Sequence, residues 1–148
     1  MGFDKVILIS HRGNIVGKNP DKENTVEYIL DAISLGYDVE IDVRFVDNKW
    51  FLGHDLPKQE VDISFLEKDK LWIHCKNLEA VSNLYGNTKV NYFWHQKDDV
   101  TLTSFGYVWA YPGKQKILNS IAVLPEIYNE DISSCIGICS DVIGEYTK

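Results

Sequence analysis

The sequence predicts a single α/β domain, residues 1–148, built around parallel strands, and three observations support this fold class. Short apolar runs end in polar clusters, as at Val6 to Ser10 before His11, which is typical of strands buried on both faces. A helical pattern separates this run from a second one at Asp38 to Phe45, so the three segments form a βαβ unit. With 148 residues and 45% apolar composition, the chain suffices for one hydrophobic core.

Charge and cysteine content argue against several classes of protein. A net charge of -7 disfavours a large nucleic-acid-binding face, which needs clustered Lys and Arg. Cys75, Cys135 and Cys139 show no C-x-x-C spacing and resemble neither a disulfide framework nor a structural zinc site. The apolar run at 6–9 is too short for a signal-peptide core or a bilayer span. We expect a cytoplasmic protein that binds neither nucleic acid nor membrane.

The first helix is predicted from its caps and its apolar stripe. Asn24 opens it, with Glu27 three positions on as a capping-box partner, and Gly36 closes it at the C′ position. Glu23 precedes the helix, where it either belongs to a functional site or favours the helix start through its charge.

The strand from Asp38 to Phe45 separates its side chains by type. Alternation places apolar residues on one face and charged residues on the other, namely Glu40, Asp42 and Arg44. Because parallel strands usually have both faces covered, these carboxylates need a partner, and a divalent cation is the natural one. Carboxylate oxygens suit Mg²⁺ or Ca²⁺ better than zinc. The alternatives are a solvated face and a salt-bridge network of the two carboxylates with Arg12 and Arg44. For Arg44 itself we expect a carboxylate partner rather than contact with a substrate.

The hairpin turn after this strand decides where His54 lies. A three-residue loop over 47–49 pairs His54 with Asp42 on the charged face. A two-residue loop would pair it with Ile41 on the apolar face. We predict the three-residue loop.

The next strand begins at Leu71 to Ile73 and ends in His74-Cys75-Lys76. By alternation His74 and Lys76 share a face, and Asn77 can cap a short helix that runs to about Tyr85. Further strands are predicted without convincing helices between them, at Val90 to His95, Tyr107 to Ala110, Ile121 to Leu124 and Ile136 to Cys139.

Four short motifs follow one another in the first half of the chain. They are His11-Arg12-Gly13, Glu23-Asn24-Thr25, Glu40-Ile41-Asp42-Val43 and Gly53-His54-Asp55. In their order and spacing, the chain resembles the glycerophosphodiester phosphodiesterase family, which belongs to the superfamily of phosphatidylinositol-specific phospholipase C. A single tripeptide is a weak signal, but four ordered motifs are hard to obtain by chance.

The resemblance implies a TIM-type barrel that hydrolyses glycerophosphodiesters with a divalent metal, commonly Ca²⁺ or Mg²⁺. Carried over residue by residue, it assigns three roles to this chain. These are acid–base catalysis for His11 and His54, metal ligation for Glu40 and Asp42, and phosphate binding for Arg12 and Lys76.

The chain departs from the family at the end of the third strand. The family shows Glu-x-Lys there, whereas this chain has His74-Cys75-Lys76. We expect His74 to be the third metal ligand, and the alternative is that it orients a carboxylate from outside the ligand sphere. An imidazole nitrogen in place of a carboxylate lowers the affinity for Mg²⁺ or Ca²⁺ and favours Mn²⁺ or Zn²⁺.

Length argues against a complete (β/α)₈ barrel, which typically needs about 250 residues. We therefore predict a shortened or incomplete TIM-type (β/α) barrel of about seven strands, with several helices after Tyr85 reduced to loops. Strand faces left without helices favour self-association, so we also predict a homodimer.

The predicted function is metal-dependent hydrolysis of a small soluble phosphodiester, with one histidine deprotonating the nucleophile and the other protonating the leaving oxygen. A neighbouring hydroxyl, as in glycerol, can attack first and give a cyclic phosphate that water then opens. Two alternatives stay open. One is a phosphate-ligand-binding relative that lost turnover with the third carboxylate, and the other acts on phospholipid head groups, like sphingomyelinase D or phosphatidylinositol-specific phospholipase C.

Overall fold

Seven of the apolar runs become parallel strands of one sheet in the computed structural model, which describes residues 6–147. The described chain contains ten strands: β1 Ile7–His11, β2 Asp38–Val46, β3 Lys49–Leu52, β4 Gln59–Val61, β5 Leu71–Cys75, β6 Asn91–Trp94, β7 Val100–Leu102, β8 Val108–Ala110, β9 Ile121–Val123 and β10 Gly137–Ser140. The α-helices of this part of the chain are α1 Val26–Ser34, α2 Ile63–Leu66 and α3 Leu78–Leu84.

The parallel strands lie in the spatial order β6-β5-β2-β1-β10-β9-β8. The strands β3 and β4 add an antiparallel extension beside the second half of β2, and β7 pairs antiparallel with β8. Within residues 6–147 no ladder joins β6 to β8, so the sheet is not closed. The fold is therefore a mixed α/β structure with few helices, and its parallel strands point their carboxyl ends to one edge.

The helix α1 begins one residue later than predicted. Thr25, not Asn24, is the N-cap, and its side chain accepts a hydrogen bond from the backbone N–H of Tyr28. Asn24 has a left-handed backbone with φ of 59°, and its side-chain amide contacts β2 instead. The predicted end is confirmed, because Gly36 follows the last turn with φ of 98°.

The helix α3 is confirmed with Asn77 as its N-cap, where the side chain accepts from the backbone N–H of Ala80. After Leu84 the described chain has no α-helix, and 3-10 helices at Pro125–Ile127 and Ile143–Thr147 take that place. The prediction that helices give way to loops in the second half agrees with this observation. Sequence reasoning missed β4, α2 and β7, which are too short to show periodicity.

The turn between β2 and β3 differs from the predicted three-residue loop. Val46 pairs with Lys49, so the loop contains only Asp47 and Asn48. Both have positive φ, 52° and 62°, as a two-residue type I′ turn requires. Extended along β3, this register would place His54 opposite Ile41 on the apolar face. The prediction was wrong because the left-handed tolerance of Asp and Asn favours the tighter turn.

The two faces of the sheet bury different clusters. Val39, Ile41 and Val43 of β2 pack against α1 and α3, as the alternation predicted. The opposite face, which carries Glu40 and Asp42, holds an aromatic cluster in which ring centroids of Trp72 and Trp109 lie 5.5 Å apart and those of Phe93 and Trp109 lie 4.8 Å apart. These rings bring β5, β6 and β8 together across the open side of the sheet.

All three cysteines are free thiols, which answers the question of a Cys135–Cys139 bond that the sequence leaves open. Within residues 6–147 there is no helix of the length and apolar character that crossing a bilayer requires.

Candidate functional site

The candidate site lies where β1, β2 and β5 end next to one another. The register pairs His11 with Glu40 and Asp42 with His74. Paired residues of neighbouring parallel strands point to the same face, so these four side chains converge although up to 63 positions separate them. The prediction that the strand-end clusters meet is borne out for these four residues.

Glu40, Asp42 and His74 form a compact buried group. The Nδ1 atom of His74 lies 3.6 Å from Oε2 of Glu40 and 3.4 Å from Oδ1 of Asp42. One ligand atom from each residue can be chosen so that all three lie within 4.8 Å of one another. A group of this size could hold a metal ion, with two oxygen donors and one nitrogen donor.

The unpaired atoms of this group test whether a cation fits. Oε1 of Glu40 and Oδ1 of Asp42 are buried and have no hydrogen-bond partner in the described part of the chain. Their contacts with His11 and His74, at 3.7 and 3.4 Å, are ion pairs rather than hydrogen bonds. A buried charged oxygen without a hydrogen bond is costly, and coordination of a cation is one way to remove that cost. The donor set and the orphaned oxygens therefore fit a divalent ion.

Two positive groups balance the carboxylates when no ion is bound. The Nε atom of Arg12 lies 3.0 Å from Oδ2 of Asp42, and the side chain of Asn24 donates to the same oxygen at 2.8 Å. Burial raises the pKa of Asp42, but the close contact with His74 and the charge of Arg12 outweigh it and hold that pKa well below its usual range. Burial lowers the pKa of His74, but Asp42 and Glu40 reverse the effect and raise it to about 9. Arg12 and a protonated His74 therefore offset the charges of Glu40 and Asp42 when no ion is bound.

His11 lies between two carboxylates. Its Nδ1 atom is 2.7 Å from Oδ1 of Asp141, and its Nε2 atom is 3.7 Å from Oε1 of Glu40. Burial lowers the pKa of His11, but the hydrogen bond to Asp141 and the charge of Glu40 outweigh it and raise that pKa. Sequence reasoning missed Asp141. The available signal was its position directly after β10, which repeats the pattern of a polar residue at a strand end.

A second network resolves the alternatives left open for Glu23. Asn14 is fully buried, and its side-chain amide donates to Glu23 at 3.0 Å and to Asp141 at 2.9 Å. The hydroxyl of Tyr28 donates to the amide oxygen of Asn14, while Glu23 accepts from Arg12 at 3.4 Å. Glu23 therefore belongs to the site, where it holds Arg12. Asn14 connects Glu23, the partner of Arg12, to Asp141, the partner of His11.

His54 reaches the site through Gly53 rather than through the strand register. The strand β3 ends at Leu52, and Gly53 turns the chain with φ of 151°. A Cβ atom on Gly53 would lie 1.9 Å from the carbonyl oxygen of Leu56, so only glycine fits this close approach. Arg44 was expected to pair a carboxylate, but it forms no salt bridge with any residue of 6–147. Its guanidinium donates to the carbonyl oxygens of Gly53 at 3.3 Å and His54 at 2.6 Å.

Lys58 joins the loop over 53–58, which carries His54, to the segment 20–23 that precedes α1. The ammonium of Lys58 donates to the carbonyl oxygens of Pro20, Asp21 and Glu23 at 3.2, 3.0 and 2.7 Å. We expect Lys58→Met to increase amide hydrogen exchange over 53–58 by about tenfold, because charge-assisted bonds that close the loop are lost. Hydrogen-exchange mass spectrometry checks this expectation.

Lys49→Met is the matched control, because Lys49 is an exposed lysine at the hairpin turn. Equal protection of residues 53–58 in the two variants would show that Lys58 does not hold the loop.

One cleft with two lobes contains these residues. Both lobes are lined by His11, Arg12, His54 and Leu124. The outer lobe has a volume of about 610 Å³ and extends toward Glu23 and Asp141. The inner lobe has a volume of about 560 Å³ and extends over Glu40 and His74 to Lys76. Every residue predicted for catalysis, phosphate binding or metal ligation therefore lines this cleft, except Asp42, which lies buried beside Glu40.

The far wall of the inner lobe comes from the second half of the chain. His95 follows β6 and stacks on Tyr111, with ring centroids 3.5 Å apart, and its carbonyl oxygen contacts Nε2 of His74 at 3.2 Å. Burial lowers the pKa of His95, and the charges of His74 and Lys76 act in the same direction.

Searches of family models, curated proteins and solved structures find no match to this chain. The geometry of the site is therefore the basis for a functional proposal.

Proposed function

We propose that this chain is a phosphoric diester hydrolase, related to the glycerophosphodiester phosphodiesterases, that cleaves a small phosphodiester with a divalent cation. The observation that carries the proposal is one cleft that combines His11, His54 and Arg12 with the orphaned carboxylate oxygens of Glu40 and Asp42. Acid–base groups, a phosphate-binding cation and a metal-ligand set are the parts that such a reaction needs.

We also propose that the fold is an incomplete TIM-type barrel. Seven parallel strands in the order β6 to β8, with an aromatic cluster packed on the face that carries the site, support this interpretation. The missing closure lies between β6 and β8. The homodimer stays a prediction that sedimentation equilibrium can test.

Acid–base chemistry is assigned to the two histidines. In the tautomer in which Nδ1–H of His11 donates a hydrogen bond to Asp141, Nε2 carries no proton and can accept one from the attacking hydroxyl. The attacking oxygen forms a bond to phosphorus, the bond from phosphorus to the leaving oxygen breaks, and His54 gives its proton to that oxygen. If the attacking hydroxyl belongs to the substrate, water then opens the cyclic phosphate and the two proton transfers run in reverse.

Binding of the phosphate is assigned to Arg12 and Lys76. Arg12 is held by Asp42 and Glu23, so its guanidinium is oriented before substrate arrives. Glu40, Asp42 and His74 would hold the cation, which when bound supplies Lewis-acid polarisation of a phosphoryl oxygen. Mg²⁺ and Ca²⁺ suit the two carboxylates, and the imidazole nitrogen favours Mn²⁺ and Zn²⁺ relative to a site with three carboxylates.

Hydrolysis after chelation and re-addition of single metals tests the proposal. The substrates are glycerophosphocholine, glycerophosphoethanolamine, a generic aryl phosphodiester and, for the head-group alternative, lysophosphatidylcholine. We expect turnover of the soluble diesters that disappears with EDTA and returns with one or more of Mg²⁺, Ca²⁺, Mn²⁺ and Zn²⁺. Full turnover in EDTA would remove the role given to Glu40 and Asp42.

The identity of the third ligand gives a separate prediction. His74→Glu restores a carboxylate at the end of β5 and should raise the ratio of activity with Mg²⁺ to activity with Mn²⁺ by about tenfold, because hard cations prefer oxygen ligands. His74→Gln is the matched control, since it removes the imidazole without adding charge. An unchanged ratio in His74→Glu would place residue 74 outside the ligand sphere.

A second candidate is a protein that binds a phosphate ligand without turnover. The observation that favours it is the charge balance of the ion-free site, in which Arg12 and a protonated His74 already compensate Glu40 and Asp42. Calorimetric titration with inorganic phosphate in EDTA discriminates the two candidates. Tight metal-free binding combined with no hydrolysis under any metal would favour the binding protein.

A further inference from the structure

The two lobes of the cleft differ in how their positive charges are used. In the outer lobe, Lys18 and Lys58 are accompanied by the carboxylates of Glu23, Asp55 and Asp141. Lys58 is further engaged by three backbone carbonyl oxygens. The outer lobe therefore offers little free positive charge to a ligand.

The inner lobe has a different balance. Lys76 and Lys97 line it, and the carboxylate that shares this lining is Glu40 of the candidate metal group. Among residues 6–147, lysine salt bridges are made by Lys70 and Lys114 but by neither Lys76 nor Lys97. Asp98 follows Lys97 and its carbonyl oxygen contacts Nε2 of His95 at 2.6 Å, but Asp98 is not among the residues that line the lobe. The inner lobe therefore has two lysines and one carboxylate in its lining, whereas the outer lobe has two lysines and three carboxylates.

This positive lobe is not a general property of the surface. The chain has 22 acidic and 15 basic side chains, so its mean field is negative. Lys76 follows β5 and Lys97 lies in the loop after β6, which places both at the carboxyl ends of neighbouring parallel strands. Cations gathered at one edge of an acidic protein select anions locally.

A simple phosphodiester has too little negative charge to pair with all the positive groups of this lobe. A diester carries one negative charge at its phosphorus, and Arg12 together with a divalent ion at Glu40 and Asp42 already meets that charge. Lys97 and His95 follow β6 and line the lobe beyond this centre, together with Tyr111, which follows β8 and stacks on His95. A substituent on the diester can reach them only if it extends along the inner lobe.

We infer that the preferred substrate carries a second anionic group, a carboxylate or a phosphomonoester, on the alcohol that occupies the inner lobe. This inference rests on the proposed function and names its substrate class. Lys97 is the specificity-determining residue, because Lys76 is also engaged with the scissile phosphate. A cationic alcohol such as choline is disfavoured by the same lysines.

A matched panel of substrates tests the inference. In each, sn-glycerol 3-phosphate is esterified to choline, glycerol, glycerate or glycerol phosphate, which gives a cationic, a neutral and two anionic alcohols. We expect kcat/KM to rise by about tenfold from the neutral to the better anionic diester, and to fall for choline. The two anionic arms distinguish a carboxylate from a phosphomonoester. The preference should shrink as salt is raised, because screening weakens the attraction.

Variants of Lys97 assign the effect to the inner lobe. Lys97→Gln should reduce the anionic preference by about fivefold, and Lys97→Glu should reverse it. Lys89→Gln is the control, since Lys89 is an exposed lysine just before β6, at the opposite edge of the sheet. Equal preference in the Lys97→Gln and Lys89→Gln variants would overturn the inference.

A binding measurement separates this inference from the proposed function. In the His11→Gln variant, calorimetry of the glycerol phosphate and choline diesters measures affinity whether or not the native chain has turnover. Hydrolysis of all diesters at equal rates would overturn the charge preference and leave the phosphodiesterase standing. If the native chain hydrolyses no diester but binds the anionic diester about tenfold more tightly, the phosphodiesterase proposal is overturned and the charge preference is supported. Equal affinities would remove the inference on either outcome.

Discussion

Replacing Glu40 by Gln should remove metal binding and turnover together. Glu40 offers an orphaned buried oxygen to the candidate metal group, and glutamine keeps its shape while losing the negative charge. We expect kcat/KM to fall by at least about 10³-fold, because Lewis-acid stabilisation contributes several kcal/mol and about 1.4 kcal/mol corresponds to a factor of ten.

Two measurements on the same protein preparation check this prediction. Calorimetric titration with Mn²⁺ gives the affinity, and hydrolysis of glycerophosphoethanolamine gives the rate. Glu60→Gln is the matched control, because Glu60 is an exposed glutamate on β4, away from the cleft. Loss of metal binding with unchanged turnover would mean that the reaction does not use this ion.

His11→Gln should produce the second large effect, a loss of about 10²- to 10⁴-fold in kcat, which is the usual contribution of a general base or acid. The residue is held between Asp141 and Glu40, so its imidazole is fixed at the position assigned to proton abstraction. We expect circular dichroism and thermal melting to show a folded variant, so that the loss of rate is assigned to the missing imidazole.

The leaving group separates the roles of the two histidines. Glycerol p-nitrophenyl phosphate keeps the same neighbouring hydroxyl as a glycerophosphodiester, but its leaving oxygen needs no proton. His54→Gln should therefore lose much less rate on this aryl substrate than on glycerophosphoethanolamine, whereas His11→Gln should lose a similar factor on both. The opposite pattern would make His54 the general base and His11 the general acid. Full activity in either variant would show that the substituted histidine transfers no proton.

Features that depend on one strand or one helix end are predicted correctly from the sequence. Period-two alternation placed Glu40 and Asp42 on one face of β2 and the apolar residues on the other. The cap at Asn77 and the end of α1 at Gly36 depend on neighbouring backbone groups, so they were readable as well. The start of α1 was placed one residue early because Asn24 and Thr25 are both good N-caps, and contact with Asp42 decides between them.

The length of the β2–β3 loop, by contrast, was predicted incorrectly from the local sequence. Loop length depends on whether two consecutive residues accept positive φ, which Asp47 and Asn48 do. His54 nevertheless lines the cleft because Gly53 leaves the strand and Arg44 holds the loop. The correct location was therefore predicted for an incorrect reason.

The strand-end clusters and the chemical types they present follow from local sequence, because alternation and capping act over a few residues. Which of these clusters meet depends on the order of the strands in the folded sheet. Asp141 joins His11 across 130 positions, and Asn14 links both to Glu23, because β1 pairs with β10 at the centre of the sheet. The pairing of distant strands depends on the packing of the whole core, so no local pattern around His11 could reveal its partner.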